Sequence, residues 1–553
     1  METRARWVTA TALVITASLL AAGCSNGGGG EAAPPKESGG TSTAGEGKTG
    51  DAAPEARGSI TASIYDRGSI PPEEGTADNN RWTKWLVENG PADVKFVPVP
   101  RWESKEKFNV MFASGSAPDL IFEYDTAYRN ELISQKQLMP LNDLIEEHSV
   151  EYKALLEKYP LLRKVATRED GNMYEFGRLN GLLTNHIFFV RKDWLDKLGL
   201  GIPQTTEELY AAAEAFVKRD PDGNGQADTL AMGVTAVGDA ILNEIFQNVG
   251  YKAVDGGLVK TTENNIAKHN FVKKLYDNGL IDKDFLTDKN SEKAKQDFIN
   301  GKLGFYGANG GEAYATFTAL KANFPDAKVM AIPLPASEFG RFSPVIGNPV
   351  QATAAINANA KDPVAVMKYV DFLVRESTMT TLQYGIEGEH YKAGDNGCPT
   401  PIDTEKNKKE QSWTADYRML VSAALFGECA HFKNQLNPED PVDAEYLEII
   451  KQADAAYLNP ETPMADLTHV EQMPTLPKDL QLIVTNTAEQ MKSFMQQALI
   501  GGSKVTVEQA AADSQAFWEK AGGKQVDDWY VDWYANHAED WILTKDIYEF
   551  KIE

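Results

Sequence analysis

Nine residues, Asp220-Pro-Asp-Gly-Asn-Gly-Gln-Ala-Asp228, put oxygen-bearing side chains at positions 1, 3, 5 and 9 of a loop, with Gly225 at position 6. That is the register in which a short loop wraps a hard cation, because calcium takes six to eight oxygen ligands and the glycine permits the sharp turn. Asp220, Asp222, Asn224 and Asp228 can converge on one Ca2+, and the backbone carbonyl of Gln226 can add a further ligand. The bidentate glutamate that usually closes such a loop at position 12 is missing, since Ala231 stands there. The expected role is a structural clip at the end of a helix. The alternative is an Asp/Asn/Gly turn that holds nothing.

A second chemical signal is Cys24. Arg4 and Arg6 precede an apolar run from Trp7 to Leu20, followed by Ala21, Ala22 and Gly23. A basic start, an apolar stretch and small residues read as a secretory signal. The run falls short of the about 20 apolar residues that span a bilayer. A cysteine directly after the small residues resembles the bacterial lipoprotein signal, which implies that the Cys24 thiol is lipidated and becomes the new N-terminus; Leu20 lies one position further from the cysteine than is usual. From Ser25 to Arg57 the chain is Gly, Ser, Thr, Ala, Pro, Glu and Lys with almost no large apolar residue, so it is expected to be a flexible tether.

The third group is aromatic. Sugars present flat apolar faces ringed by hydroxyls, so their sites need aromatic platforms beside paired polar groups. Trp102 sits in the polar loop 98–104 where no core periodicity asks for it, and Tyr65, Tyr124, Tyr306 and Trp413 follow strands or sit in polar loops. Asp66, Arg67, Asp125 and Asn309 can supply hydroxyl contacts. For any one of these rings, burial in a core is an equally good expectation. Trp82 and Trp85, three apart on a helix, read as packing, and Trp518, Trp529, Trp533 and Trp541 read as a C-terminal segment folding back on the body.

The whole chain of 553 residues carries a net charge of −25 and an isoelectric point near 4.8. Nucleic acids and anionic membranes select clustered Lys and Arg, so neither is an expected partner surface. Besides Cys24 only Cys398 and Cys429 remain; in an exported protein they can pair, or stay as two buried thiols. Hydrolase elbows, zinc-protease helices, phosphate loops and dinucleotide fingerprints are missing from the sequence, although its many carboxylates leave a glycosidase pair open.

Short β-rich runs alternate with longer amphipathic ones, which predicts an α/β architecture with largely parallel sheets. Strands are expected at Ile60–Tyr65, Val94–Val99, Asp119–Phe122, Ile187–Val190 and Leu303–Tyr306. Helices are expected at 79–89, 104–114 (Phe108, Met111 and Phe112 inward), 191–198, 207–219 (Leu209, Ala212, Ala213 and Phe216 inward), 264–278, 291–300, 362–375 and 505–521. In such sheets ligands collect beyond the carboxyl ends of the strands, which brings Asp66, Arg67 and the run Glu123-Tyr124-Asp125 forward. About 495 residues outside the signal and tether exceed what one core normally serves, so two lobes are expected.

Phe108–Phe122, Phe189–Leu195 with Ile202–Thr205, Asp297–Gly304 and Tyr384–Tyr391 occur in an order and spacing that resemble the family 1 extracellular solute-binding proteins of carbohydrate ABC importers, in their long lipoprotein branch related to alginate-binding proteins. The resemblance covers about residues 58–545. It implies a periplasmic-binding-protein type II fold: two α/β lobes, 58–185 with 344–401 and 186–343 with 402–553, a ligand cleft between them, and hinges near Leu183 and at Val345–Pro349. Residues 1–23 would be the signal and 24–57 the tether. The implied function is capture of an oligosaccharide by lobe closure and delivery to membrane permease subunits, by a monomer held on the extracytoplasmic face of the cell membrane through lipid on Cys24. In the alginate-binding relatives a carboxylate follows the last Asp of the calcium loop, where this chain has Thr229. An exported glycoside hydrolase and a peptide-binding or sensor protein of the same fold are the alternatives. The negative charge of the chain weighs against an acidic polysaccharide unless local charge in the cleft reverses it.

Overall fold

The computed structural model describes residues 57–288, 290–394, 397–468, 473–537 and 542–550. The signal, Cys24, nearly all of the tether and Trp541 lie outside the described residues.

Two sheets organise the chain. The first is built from β1 (Gly58–Asp66), β2 (Ala92–Pro100), β3 (Leu120–Phe122) and β4 (Phe176–Leu179), joined by a late arrival. The second takes β5 (His186–Arg191) and β6 (Leu230–Met232), after which a hairpin of β7 (Tyr251–Val254) and β8 (Gly257–Lys260) stands apart. β9 (Leu303–Asn309) and β10 (Val329–Ala331) complete that sheet, and β11 (Val350–Ile356) returns to the first. The strand orders are β2-β1-β3-β11-β4 and β10-β5-β9-β6.

The pairing differs from the largely parallel sheets that the sequence suggests. β1 runs parallel to β2 and β3, and β6 runs parallel to β9, but β11 is antiparallel to both its neighbours and β5 to both of its own. The reason is topological. A strand reached after a crossing from the other sheet is not constrained by a local right-handed β-α-β connection.

Each sheet has its own core. Ile60, Ala62, Phe108, Leu120, Ile346, Val350, Val366 and Val370 belong to the first, and Phe188, Leu209, Ala213, Phe216, Ile241 and Phe305 to the second. The expected helices form within a residue or two, because their apolar stripes find these cores: Phe108 and Met111 are buried on Ser104–Ser114, and Leu209, Ala212, Ala213 and Phe216 on Thr206–Lys218. Gly115, in the left-handed region at φ 68°, ends the former. Trp413, Tyr417, Met419, Leu420 and Val421 join the first core, as do Met464, Ile542 and Ile547. Core membership therefore does not change hands at residue 401.

The C-terminal helices Lys478–Ile500, Val507–Lys520 and Gly523–His537 form a layer of their own around Leu480, Trp518 and Val526. Trp82 is buried and donates its indole N–H to the carbonyl of Glu410 at 2.6 Å, while Trp85 stacks on Phe372.

Cys398 and Cys429 are bridged, with 31 residues of sequence separation. A closed loop of that length restrains the unfolded chain by about 3.7 kcal/mol in the entropic treatment. Replacing both cysteines by serine is expected to lower the unfolding free energy by about that amount, read from a urea titration as a lower midpoint with a somewhat steeper slope, because the uncrosslinked denatured chain is more expanded; reductant should then have no further effect on the variant.

Candidate functional site

β1, β2, β3 and β4 all point the same way, so the residues after their carboxyl ends gather at one edge of the first sheet. The Tyr65 ring stacks on Tyr124 at 5.8 Å between centroids. Its hydroxyl, buried, donates to Glu123 Oε1 at 2.5 Å, and burial followed by the Glu123 charge pushes its pKa up. The same Glu123 oxygen accepts the Asp125 backbone N–H at 2.7 Å, which fixes the turn out of β3.

Four guanidiniums surround this pair. Arg67 makes two hydrogen bonds to Asp416, at 2.7 and 2.9 Å, and these raise its pKa. Arg101 lies over Tyr65 at 4.8 Å, over Trp102 at 5.4 Å and over Tyr124 at 5.5 Å. Arg178, on β4, lies 5.7 Å from the Tyr124 centroid and donates to Gln351 Oε1 and to the Arg418 carbonyl. Arg418 donates to Gln383 Oε1 at 3.0 Å; burial, with the like charge of Arg178, lowers its pKa. Trp102 is 81% exposed, the most exposed large apolar side chain among the described residues. Chemically this is one exposed ring, Trp102, and one half-buried ring, Tyr124, with Tyr65 buried behind them, edged by forked hydrogen-bond donors.

The other expected ligand contacts fall differently. Asp66 and Asp125 are exposed, the former accepting from the Gly68 N–H and the latter capping the helix Thr126–Ser134. Tyr306 is a correction: it is 6% exposed and stacks on Phe298 at 5.0 Å in the core beneath the second sheet. Trp413 is another: it is packed in the first core with its indole N–H on the Lys409 carbonyl. Neither offers a free ring face, and nor does Tyr65, which is 3% exposed and belongs to the first core. Asn309 ends β9 opposite His186 and caps the helix Gly310–Asn323. Arg101, Arg178 and Arg418 were not singled out by sequence; Arg101 adjoins Trp102, but nothing local marks the other two.

The chain passes between the sheets in segments that lie side by side. Gly347 donates to the Leu183 carbonyl at 2.7 Å, His186 to Val345 at 3.0 Å and Asn180 to Pro349 at 2.8 Å, and Ser343 donates to Pro463 in a third segment. His186 Nδ1 is shielded from water there without a hydrogen-bond partner.

In the loop 220–228, Asp220 adopts φ 44° and accepts the N–H groups of Gly223 and Gly225. The Asn224 amide reaches both Asp222 and Asp228. Burial and then the hydrogen bond with Asp220 raise the Asp222 pKa. The donor set is all oxygen and suits a hard cation. Thr229 is turned inward, its hydroxyl on the Phe216 carbonyl, and is no ligand. The Lys302 ammonium stands 3.2 Å from Asp228. Elsewhere Glu389, His390 and Glu410 come within 4.8 Å of one another. Yet His390 Nδ1 accepts the Ile386 N–H, so the proton sits on Nε2, and Arg81 and Lys406 already neutralise the two glutamates. That trio is an ion-pair network.

A separate cavity of about 540 Å³ lies between the second core and the C-terminal helices, where Val272, Met491, Met495 and Leu499 make much of its wall and Lys268 pairs with Asp239. It contains none of the residues described above.

Comparison with known proteins accords with this arrangement. Residues 87–380 match the family model described as bacterial extracellular solute-binding protein. The polygalacturonan/rhamnogalacturonan-binding protein YtcQ of Bacillus subtilis is 25% identical over 453 residues, 77% of this chain and 82% of that one. The fructooligosaccharide ABC transporter substrate-binding protein FusA of Streptococcus pneumoniae is 32% identical over 213 residues, 34% of this chain and 39% of its own. Among solved structures, the alginate-binding protein AlgQ2 without calcium ion superposes with a TM-score of 0.64 at 19% identity, covering 89% of this chain and 98% of that one. FusA with kestose superposes with a TM-score of 0.64 at 19% identity, covering 87% and 100%. The fold is thus the two-lobed α/β fold of the periplasmic binding proteins.

Burial lowers the His186 pKa to about 4, below the unfolded value near 6.5. The unfolded chain then binds the extra proton first as pH falls, so the contribution is complete above about pH 6.5 and is lost towards pH 4. A His186→Asn variant is expected to show a flatter fall in melting temperature between pH 6.5 and 4 than the parent; parallel curves would refute the assignment.

Proposed function

Because the chain belongs to the bacterial extracellular solute-binding proteins, we propose that it is the lipid-anchored substrate-binding component of an ABC importer and that it captures an oligosaccharide. The observation that carries this reading is the edge of the first sheet: an 81%-exposed Trp102 and the half-buried Tyr124, backed by the buried Tyr65, flank the Arg101 guanidinium with further guanidinium donors around them. Rings of this kind bind the flat face of a pyranose while forked donors take its hydroxyls. The names of YtcQ and FusA, both saccharide-binding proteins, support the same class of ligand.

Two lobes, one on each sheet, would close on the ligand. The paired crossings near Leu183 and Val345 would serve as the hinge, and ligand contacts made only in the closed form would shift the population towards it. The packing supports a division in which residues up to about 426, rather than 401, return to the first lobe. Lipidation of Cys24 would keep the protein beside its permease, and the relative LipO of Bacillus subtilis is a lipoprotein by name. Closure on a ligand that is then released intact distinguishes this role from hydrolysis.

Calorimetric titration with neutral and acidic oligosaccharides should reveal binding of one class, with the sugar recovered uncut. Trp102→Ala should weaken that binding roughly tenfold. Cleavage of the sugar, or binding of peptides alone, would refute the proposal.

The loop 220–228 would hold a structural Ca2+ through Asp220, Asp222, Asn224 and Asp228, with Gln226 contributing its carbonyl. A FusA structure carrying an EF-hand mutation and the calcium-free AlgQ2 structure show that calcium was at issue in relatives of this fold. Calcium at one hundred times its dissociation constant stabilises the folded chain by about 2.7 kcal/mol. The melting temperature should therefore rise with millimolar calcium and fall with EDTA, and an Asp222→Asn, Asp228→Asn double variant should lose the response.

A further inference from the structure

Resting on the reading that the Tyr65–Tyr124 edge is the saccharide site, we infer that the saccharide is anionic, with carboxylate or sulfate groups on its rings. The chain as a whole has 80 acidic residues against 55 basic ones. A cationic side chain in such a protein normally finds a carboxylate. At this edge three do not. Among the described residues, Arg101 has aromatic rings around it, Arg178 has a glutamine oxygen and a backbone carbonyl, and Arg418 has a glutamine oxygen. The Nε atoms of all three are shut off from water and have no hydrogen-bond partner.

The nearby carboxylates make no ion pair with these three. Asp416 is held by both arms of Arg67, and Glu123 uses Oε1 for the Tyr65 hydroxyl and the Asp125 N–H while its Oε2 is buried without a hydrogen-bond partner. Asp66 and Asp125 are exposed and turned to the backbone N–H groups of Gly68 and Tyr128. A guanidinium withdrawn from water without a counter-charge is costly, and the cost grows when a lobe closes over it. A neutral sugar would leave that charge uncompensated. A carboxylate or sulfate would offset it and match the planar fork in two hydrogen bonds at once. Arg101 and Arg178 both lie within 6 Å of the Tyr124 ring. An acidic sugar stacked on that ring would therefore have its charged substituent beside a guanidinium.

The test is calorimetric titration of the full chain in mild detergent with three probes: trigalacturonate, its carboxyl-reduced galactose counterpart and a sulfated trisaccharide. The expected result is tight binding of trigalacturonate or of the sulfated probe, weakening as salt is raised, with the neutral counterpart at least about 100-fold weaker. The choice between the two acidic probes decides which anion is read. Arg178→Gln and Arg418→Gln should each weaken the acidic ligand at least about tenfold and weaken it more than the neutral one, and Arg178→Lys should recover part of the loss. Unliganded melting curves of the variants verify that they fold. Neutral binding as tight as acidic binding, or acidic binding indifferent to both Gln variants, would overturn the inference and leave the oligosaccharide reading intact. Binding of no saccharide at all would overturn both.

Discussion

The constraint on which the rest depends is the side-by-side passage of the chain between its two sheets. Backbone hydrogen bonds join Leu183 to Gly347, His186 to Val345 and Asn180 to Pro349. Those few bonds fix the register with which β4 enters the first sheet and β5 the second, and on the return the register of β11. Because β11 inserts between β3 and β4, it brings the carboxyl end of β4, and with it Arg178, to the same edge as Tyr124. A one-residue slip would turn every side chain of β4 to the opposite face. The site is therefore assembled by the crossing as much as by the strands that end in it.

The edge thus assembled combines groups that cost free energy to hold without a ligand. The Tyr65 hydroxyl is buried against the Glu123 carboxylate, and Arg418 has its pKa lowered by burial beside a second guanidinium. Such groupings persist where a surrounding core over-determines them. Here the first core supplies that support: Phe108, Tyr128 and the segment Met419–Val421 belong to the same core as Tyr65. The Arg67–Asp416 pair anchors the segment that carries Arg418, so one structural ion pair positions a neighbouring guanidinium that has no ion pair of its own.

Much of this was legible from the residues. Helices with a single apolar stripe and a definite stop, such as Ser104–Ser114 ending at Gly115, have local sequence that already agrees with their packing. The strand-end positions of Tyr65, Tyr124 and Trp102 follow from strand prediction plus the rule that ligands collect beyond carboxyl ends. Tyr306 misled because β9 is buried on both faces, Leu303 through Ala308 without a break, so alternation cannot say which side meets ligand. Trp413 misled because its neighbours are polar, yet its ring meets Tyr417 one turn on and both are packed into the first core. Arg178 and Arg418 lie 240 residues apart, and no local pattern announces that two guanidiniums so distant will share a tyrosine edge.

Charge gives the remaining step. A chain at −25 repels anionic sugars and anionic membranes alike over a Debye length of about 8 Å at physiological ionic strength. Long-range attraction therefore cannot bring an acidic ligand in; only the short-range field of the guanidiniums, sharpened by the low polarity of the rings beside them, can retain it once there. The same balance bears on the membrane. A surface of this sign gains nothing from acidic headgroups, so residence beside a permease would have to rest on covalent lipid, where two acyl chains hold firmly and one alone holds marginally. One balance thus bears on both: an acidic body needs a concentrated basic site to hold an anionic cargo, and any anchor to its membrane would have to be uncharged.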